Sequence, residues 1–140
     1  MGGDAYKVFV VEDSPLLTRF LLERLRAAEI AVVGHADNAE DAISGIAESR
    51  PDAVIIDLGL RIGTGFDILR ALQKSNGGHH PVRMVLTNNP RPPLESMARR
   101  CGADYFFDKA KDINRMVEAL ESLQRDANAR GGARDSAVQE

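Results

Sequence analysis

The sequence predicts an α/β fold in which a five-stranded parallel sheet is doubly wound, with helices on both faces in a (βα)5 order. Three observations support this prediction. Short apolar runs alternate with stretches of helical period along the chain. The runs are apolar at consecutive positions, which is typical of strands buried on both faces. The 140 residues suit a single core.

The five predicted strands are the apolar runs, and each is short enough to cross one sheet. They occupy residues 8–11, 31–33, 53–56, 82–86 and 105–107. Because a helical stretch follows each run, neighbouring strands are expected to pair in parallel through right-handed crossovers.

The first two helices carry start signals. Ser14 as N-cap and Pro15 at the first helical position introduce the first helix. Its predicted apolar face consists of Leu17, Phe20, Leu21, Leu25 and Ala28. Asn38 is predicted to cap the second helix, which ends before Pro51.

The remaining helices are predicted from apolar residues at helical spacing. Phe66, Leu69 and Leu72 mark the third helix. Pro93 is expected to open the fourth, whose apolar face would hold Leu94, Met97, Ala98 and Cys101. The fifth is expected to begin at about Asp112.

We assign residues 1–124 to one domain and expect residues 125–140 to form a frayed helix end and a disordered tail. The final stretch is polar, contains Gly131 and Gly132, and shows no apolar period.

Composition excludes several classes of protein. The formal charge of −3 is spread along the chain, so direct nucleic-acid or membrane binding is not expected. The single cysteine excludes an internal disulfide framework, and neither a signal peptide nor a membrane-spanning run is evident. We therefore expect a cytoplasmic protein.

Polar residues follow the predicted strands at the edge where doubly wound sheets bind ligands. Glu12 and Asp13 follow the first strand, Asp57 the third and Thr87 the fourth, and Lys109 lies just past the fifth. Three converging carboxylates repel one another unless a hard cation such as Mg²⁺ binds them. Asp57 lies nearest the middle of the sheet, so an aspartyl phosphate is the expected product.

Four segments in this order resemble the receiver domain of bacterial response regulators, which has a flavodoxin-like fold. They are Val11-Glu12-Asp13-Ser14, Ile55-Ile56-Asp57-Leu58, Val85-Leu86-Thr87, and Gly102-Ala103-Asp104 through Lys109. The resemblance covers residues about 6 to 124.

The resemblance implies a role for each matching residue. Asp57 would accept the phosphoryl group and bind Mg²⁺ together with Asp13 and the carbonyl of Gly59, while Glu12 would support the metal through water. Lys109 and Thr87 would bind the phosphoryl oxygens.

The sequence departs from the family pattern at several positions. The aromatic residue of the family's switch is Phe106, which lacks a phenol hydroxyl. Asn88 follows Thr87 where the family usually has a small residue, and is expected to crowd the phosphoryl group. Leu60-Arg61 replaces the usual Met-Pro, and Ala110 the usual proline.

These residues imply a stand-alone signalling phosphoacceptor in a two-component pathway or phosphorelay, without an output domain and without enzymatic turnover. It would be charged by a histidine kinase or a histidine phosphotransfer protein and read by a downstream protein, and homodimer formation is left open.

Three alternatives are less consistent with the sequence. A pseudo-receiver would have lost an aspartate or the lysine. A phosphatase of the haloacid dehalogenase type would need an acid at Gly59. In a flavodoxin-type carrier, Glu12 and Asp13 would repel the flavin phosphate.

Three further residues, His79, His80 and Cys101, are not assigned a functional role. His79 and His80 lack a third metal ligand at suitable spacing, and Cys101 is expected in the core.

Overall fold

Five parallel strands form one sheet in the computed structural model, which describes residues 5–74 and 78–139, with side chains to residue 130. The strands are β1 (Lys7–Val11), β2 (Ala31–Ala36), β3 (Ala53–Asp57), β4 (Val82–Thr87) and β5 (Tyr105–Asp108). Their order across the sheet is β2-β1-β3-β4-β5. The predicted fold class is confirmed.

A helix follows every strand. The helices are α1 (Pro15–Ala27), α2 (Ala39–Ser49), α3 (Gly65–Lys74), α4 (Pro92–Arg100) and α5 (Ile113–Gln139). No helix within the described residues is both long and apolar enough to span a bilayer.

Two predicted N-caps are present. The Ser14 hydroxyl accepts a hydrogen bond from Leu17 N at 3.3 Å. Asn38 Oδ1 accepts one from Asp41 N at 2.8 Å. Each bond satisfies an amide that the first helical turn would leave unpaired, so α1 and α2 begin where the sequence predicted.

The buried residues form one core on each face of the sheet. Along β3, Ala53 and Ile55 face the core beneath α1 and α5, whereas Val54 and Ile56 face the core beneath α2, α3 and α4. This alternation explains the consecutive apolar positions of β3, since each of its residues is buried against one helix layer or the other.

Three details of the predicted helices were wrong. Phe20 and Met97 were assigned to apolar faces but are 45% and 46% exposed. Successive helical residues are rotated by about 100°, so a residue beside the buried stripe can fall at its border. The fourth helix begins one residue early, at Pro92. Cys101, which was predicted in the core, is the half-buried C-cap of this helix and packs against the core beneath α2, α3 and α4.

The last helix also differs from the prediction. The backbone is helical from Ile113 to Gln139, where a disordered tail was expected, and residue 140 lies outside the described residues. Gln124 Oε1 accepts a hydrogen bond from Tyr6 N at 2.8 Å, and Ala127 packs against the core beneath α1 and α5. The Ala, Arg, Gln and Glu residues of this stretch are good helix formers, which favours continuation of the helix.

A domain limit near residue 124 stays a prediction that truncation can test. We expect removal of residues 128–140 to change the free energy of unfolding by less than about 0.5 kcal/mol, because Ala127 and the Tyr6–Gln124 bond remain. Removal of residues 123–140 deletes both contacts and Leu123, and should cost about 2 kcal/mol or more. Urea unfolding followed by circular dichroism measures both, and a large loss in the shorter truncation would show that the end of α5 docks.

Candidate functional site

The carboxyl ends of four strands bring the predicted polar residues to one edge of the sheet. Glu12 and Asp13 follow β1, and Asp57 and Thr87 are the last residues of β3 and β4. Lys109 follows β5, and its backbone N–H donates to Thr87 O at 2.9 Å. The sheet therefore places these side chains together although up to 97 residues separate them.

The three acids form a tight cluster. Glu12, Asp13 and Asp57 each offer a carboxylate oxygen, and these oxygens all lie within 4.8 Å of one another. Glu12 and Asp57 are only 3% and 4% exposed. Charges this close in a buried setting repel strongly unless a cation offsets them.

Lys109 supplies part of that compensation. Its Nζ lies 2.8 Å from Glu12 Oε1 and 3.0 Å from Asp57 Oδ2. Burial acts to lower the pKa of Lys109, but the contacts with Glu12 and Asp57 outweigh it and leave this pKa raised. The ammonium group therefore stays charged at neutral pH.

The surroundings of Glu12 favour its protonated form. Burial raises its pKa above the ordinary 4.5, and this effect exceeds the opposing influence of Lys109 and of the hydrogen bond from Ser14 N. Among the described residues, Glu12 Oε1 has no hydrogen-bond partner of good geometry, although Lys109 lies at ion-pair distance. The oxygen keeps capacity for a further ligand.

Main-chain amides orient the carboxylates. Ser14 N donates to Glu12 Oε2 at 3.0 Å, and Gly59 N donates to Asp57 Oδ1, also at 3.0 Å. Arg61 N donates to Asp13 Oδ2 at 2.8 Å. Each acid is held in place by an amide from a nearby loop.

The loop between β3 and α3 is also fixed behind Asp57. Gly65 N donates to Leu58 O at 3.2 Å, which closes the loop on itself. A Cβ atom added to Gly65 would lie 2.6 Å from Asp57 O and 2.8 Å from Leu58 Cα. Only glycine permits this approach, so Gly65 sets the backbone position of Asp57.

Besides Lys109, three residues predicted to bind or sense the phosphoryl group lie near this edge but make different contacts. Thr87 is buried, and its hydroxyl accepts a hydrogen bond from Asn89 N at 3.1 Å, which leaves its proton free to donate. Asn88 is exposed. Phe106 is half-buried and packs against the core beneath α2, α3 and α4.

Two residues were not predicted as part of the site. Arg61 was noted only as a departure from the family pattern, and Gly65 was not considered. Both lie within eight residues of Asp57, Arg61 in the aperiodic loop and Gly65 at the start of α3, and this nearness in sequence was the one signal that could have found them.

The residues at this edge fit a small hard cation. The donors are carboxylate oxygens, and such oxygens are the ligands that Mg²⁺ prefers. The negative charge of the three acids exceeds the single positive charge of Lys109, and Glu12 Oε1 retains acceptor capacity.

Comparison with known proteins relates this geometry to one family. The family model described as response regulator receiver domain matches residues 8–121. The sensory transduction protein LytT of Bacillus cereus is 41% identical over 122 residues, which cover 85% of this chain and 47% of that protein. A protein-glutamate methylesterase/protein-glutamine glutaminase of Carboxydothermus hydrogenoformans is 31% identical over 122 residues, which cover 83% of this chain and 34% of that protein.

The match to solved structures concerns the fold. The signal receiver domain of a putative Luxo repressor protein from Vibrio parahaemolyticus superposes with a TM-score of 0.80 at 22% identity, covering 93% of this chain and 98% of that one. The chain thus spans a whole receiver structure but less than half of the two curated relatives.

Proposed function

The chain belongs to the response regulator receiver domain family, and from this we propose that Asp57 accepts a phosphoryl group from a phosphohistidine donor and thereby switches a protein-binding surface. Receiver domains of this family act in two-component signalling, where they meet histidine kinases or phosphotransfer proteins and downstream targets. They generally bind Mg²⁺ at an acidic pocket.

One observation carries the proposal: Asp57 is buried at the end of a central strand, 3.0 Å from the ammonium of Lys109, in a cluster of three acids. A nucleophilic carboxylate must be ionised and must meet a phosphoryl group whose negative charge is compensated. Lys109 places a positive charge 3.0 Å from Asp57 Oδ2, where it can compensate the charge of an incoming phosphoryl group.

In the transfer, a carboxylate oxygen of Asp57 forms a bond to phosphorus while the phosphorus–nitrogen bond of the donor histidine breaks, and the departing imidazole takes up a proton from water. Lys109 and the Thr87 hydroxyl donate to the phosphoryl oxygens. Mg²⁺, held by Asp13, Asp57, the Gly59 carbonyl and, through water, Glu12, would neutralise charge on those oxygens.

The readout is proposed to run through Thr87 and Phe106. Once the Thr87 hydroxyl donates to the phosphoryl group, the backbone after β4 is drawn toward Asp57, and space opens for Phe106 to move inward. Because Phe106 has no phenol hydroxyl, packing alone would drive this movement. The chain acts as a signalling phosphoacceptor in this proposal, and Gly59 stands where a phosphatase of the haloacid dehalogenase type needs its proton-transferring acid.

The experiment for this proposal is intact-mass measurement after incubation with a small phosphodonor and Mg²⁺. We expect the wild type to gain one phosphoryl mass and Asp57→Asn to gain none, since the amide is not a competent nucleophile. Omission of Mg²⁺ should greatly reduce the gain in the wild type. Equal labelling of both proteins would refute the assignment.

Asn88 is proposed to slow hydrolysis of the acyl phosphate. It is exposed, follows Thr87, and is followed by Pro90 in the loop and by Pro92 and Pro93 at the start of α4, whose fixed backbone angles restrict its retreat. Water must reach phosphorus roughly in line with the departing aspartate, so a side chain in that path obstructs it. We expect Asn88→Ala to accelerate both labelling and loss of the phosphoryl group, followed by mass after the donor is removed. Slower loss would mean that Asn88 assists the water.

A further inference from the structure

Arg61 contacts Asp13 through two separate groups. Its main-chain N–H donates to Asp13 Oδ2 at 2.8 Å, and its guanidinium Nε lies 3.8 Å from the same oxygen. One residue, 48 positions away in sequence, therefore engages a single carboxylate oxygen with both a hydrogen bond and a positive charge.

The main-chain contact depends on the residue type at position 61. Every residue except proline has an N–H to donate, and this chain has arginine where the family usually has proline. Arginine at this position thus makes possible a bond that proline cannot form, and adds a charge that most other residues lack.

The pair lies at the exposed side of the acidic cluster. Asp13 is the least buried of the three acids, with a side chain 15% exposed, and the Arg61 side chain is 79% exposed. Both line a groove of about 700 Å³ whose other lining residues carry charges of both signs. The guanidinium is therefore the positive charge beside the acid of the cluster that solvent reaches most readily.

We propose that Arg61 is a positioning residue that holds Asp13 and lowers the affinity of the acidic cluster for divalent cations. This inference rests on the proposed function, because it concerns the Mg²⁺ that supports phosphorylation of Asp57. A higher Mg²⁺ concentration would then be needed to fill the site, and phosphorylation of Asp57 would depend on Mg²⁺ in that higher concentration range.

Electrostatics sets the expected size of the change in Mg²⁺ affinity and predicts that this change depends on salt. A unit charge several ångströms from a divalent ion near the protein surface should alter its affinity by about three- to tenfold at low salt. Because the guanidinium is largely exposed, added salt should screen the effect. A purely steric or packing role for Arg61 would not depend on salt in this way.

The test is isothermal titration calorimetry with MgCl₂ at low and high potassium chloride. Arg61→Gln keeps the main-chain N–H and removes the charge, whereas Arg61→Lys keeps the charge. Arg99→Gln, on α4, makes the same change in net charge at an exposed Arg99–Glu95 pair and is the matched control. Asp13→Asn removes one charge of the acidic cluster and tests whether Mg²⁺ binds there.

We expect Arg61→Gln to bind Mg²⁺ about three- to tenfold more tightly than the wild type at low salt, and this gain to shrink at high salt. Arg61→Lys and Arg99→Gln should resemble the wild type, and Asp13→Asn should bind more weakly. Equal affinity of the wild type and Arg61→Gln, or an equal gain in Arg61→Lys, would overturn the role of Arg61. No Mg²⁺ binding by the wild type would instead refute the metal site of the proposed function.

Discussion

Replacement of Lys109 by methionine is expected to destabilise the protein by about 2–4 kcal/mol near neutral pH in the absence of Mg²⁺. The substitution leaves Glu12 and Asp57, whose side chains are 2% and 6% exposed, without the ammonium that lies 2.8 and 3.0 Å from them. Removal of one member of a buried charge cluster costs more than loss of an exposed ion pair, because the remaining charges stay desolvated. Phosphorylation of Asp57 should fall sharply in the same variant.

The effect of this substitution should depend on pH in a defined direction. Burial already raises the pKa of Glu12 above 4.5, and loss of Lys109 removes an opposing influence. A folded-state pKa above the unfolded value means that the folded variant binds the proton more tightly, so its stability falls as pH rises through that pKa. The deficit relative to wild type should therefore be smaller near pH 4.5 than at neutral pH, because a protonated Glu12 no longer needs the ammonium.

Urea unfolding across this pH range, with and without Mg²⁺, measures the effect. Lys111→Met is the matched control, since Lys111 is exposed and lies two residues further along the same loop. It should change stability by less than about 0.5 kcal/mol. Mg²⁺ should restore part of the loss in Lys109→Met by binding the freed carboxylates. A deficit that is larger at low pH would contradict this interpretation of the cluster.

Substitution of Gly65 by alanine is expected to have the second large effect. The added Cβ would lie 2.6 Å from Asp57 O, 2.8 Å from Leu58 Cα and 2.9 Å from Ile56 Cγ2. Two of these three atoms belong to the backbone, so the strand end must shift. We expect a loss of about 1–3 kcal/mol, as for overpacking elsewhere.

Displacement of Asp57 should also slow its phosphorylation by about tenfold or more, because small misplacements of a reacting group are costly. Gly45→Ala on α2 is the control, since its Cβ would lie 2.7 Å from Phe9 Cε2 and Cζ, outside the acidic cluster, so it should cost stability while the phosphorylation rate stays near that of the wild type. Intact-mass time courses and urea unfolding separate the two variants. If both substitutions behave alike, the close approach at Gly65 does not position Asp57.

The strands and the residues at their ends could be predicted because two physical patterns coincide. Consecutive apolar residues such as Val54, Ile55 and Ile56 predict a strand buried on both faces, and parallel strands bring their carboxyl ends to one edge. The convergence of Glu12, Asp57 and Lys109 follows from that topology without knowledge of any contact.

The contact between Arg61 and Asp13 could not be predicted in the same way. It is made by a loop without periodicity, and the main-chain N–H that forms it is common to almost every residue type. Only the folded path of the loop, fixed by the bond from Gly65 N to Leu58 O, places that amide beside Asp13.

The helical course of residues 125–139 was missed because composition and local propensity indicate different outcomes. A polar stretch that contains Gly131 and Gly132 is typical of disorder, whereas the Ala, Arg and Gln residues of the same stretch favour a helix. Packing of Ala127 against the core stabilises the start of this helical stretch. The sequence has no apolar period here, so it does not indicate that contact.

The central claim, that Asp57 is the phosphoacceptor, is tested most directly by locating the modified residue. The wild type is incubated with a small phosphodonor and Mg²⁺, reduced with borohydride, digested and sequenced by tandem mass spectrometry. An acyl phosphate on aspartate is reduced to homoserine, so we expect homoserine at position 57 and unchanged aspartate at position 13. Homoserine at another acid, or a phosphoryl group that survives reduction on a histidine or hydroxyl residue with Asp57 unchanged, would contradict the claim.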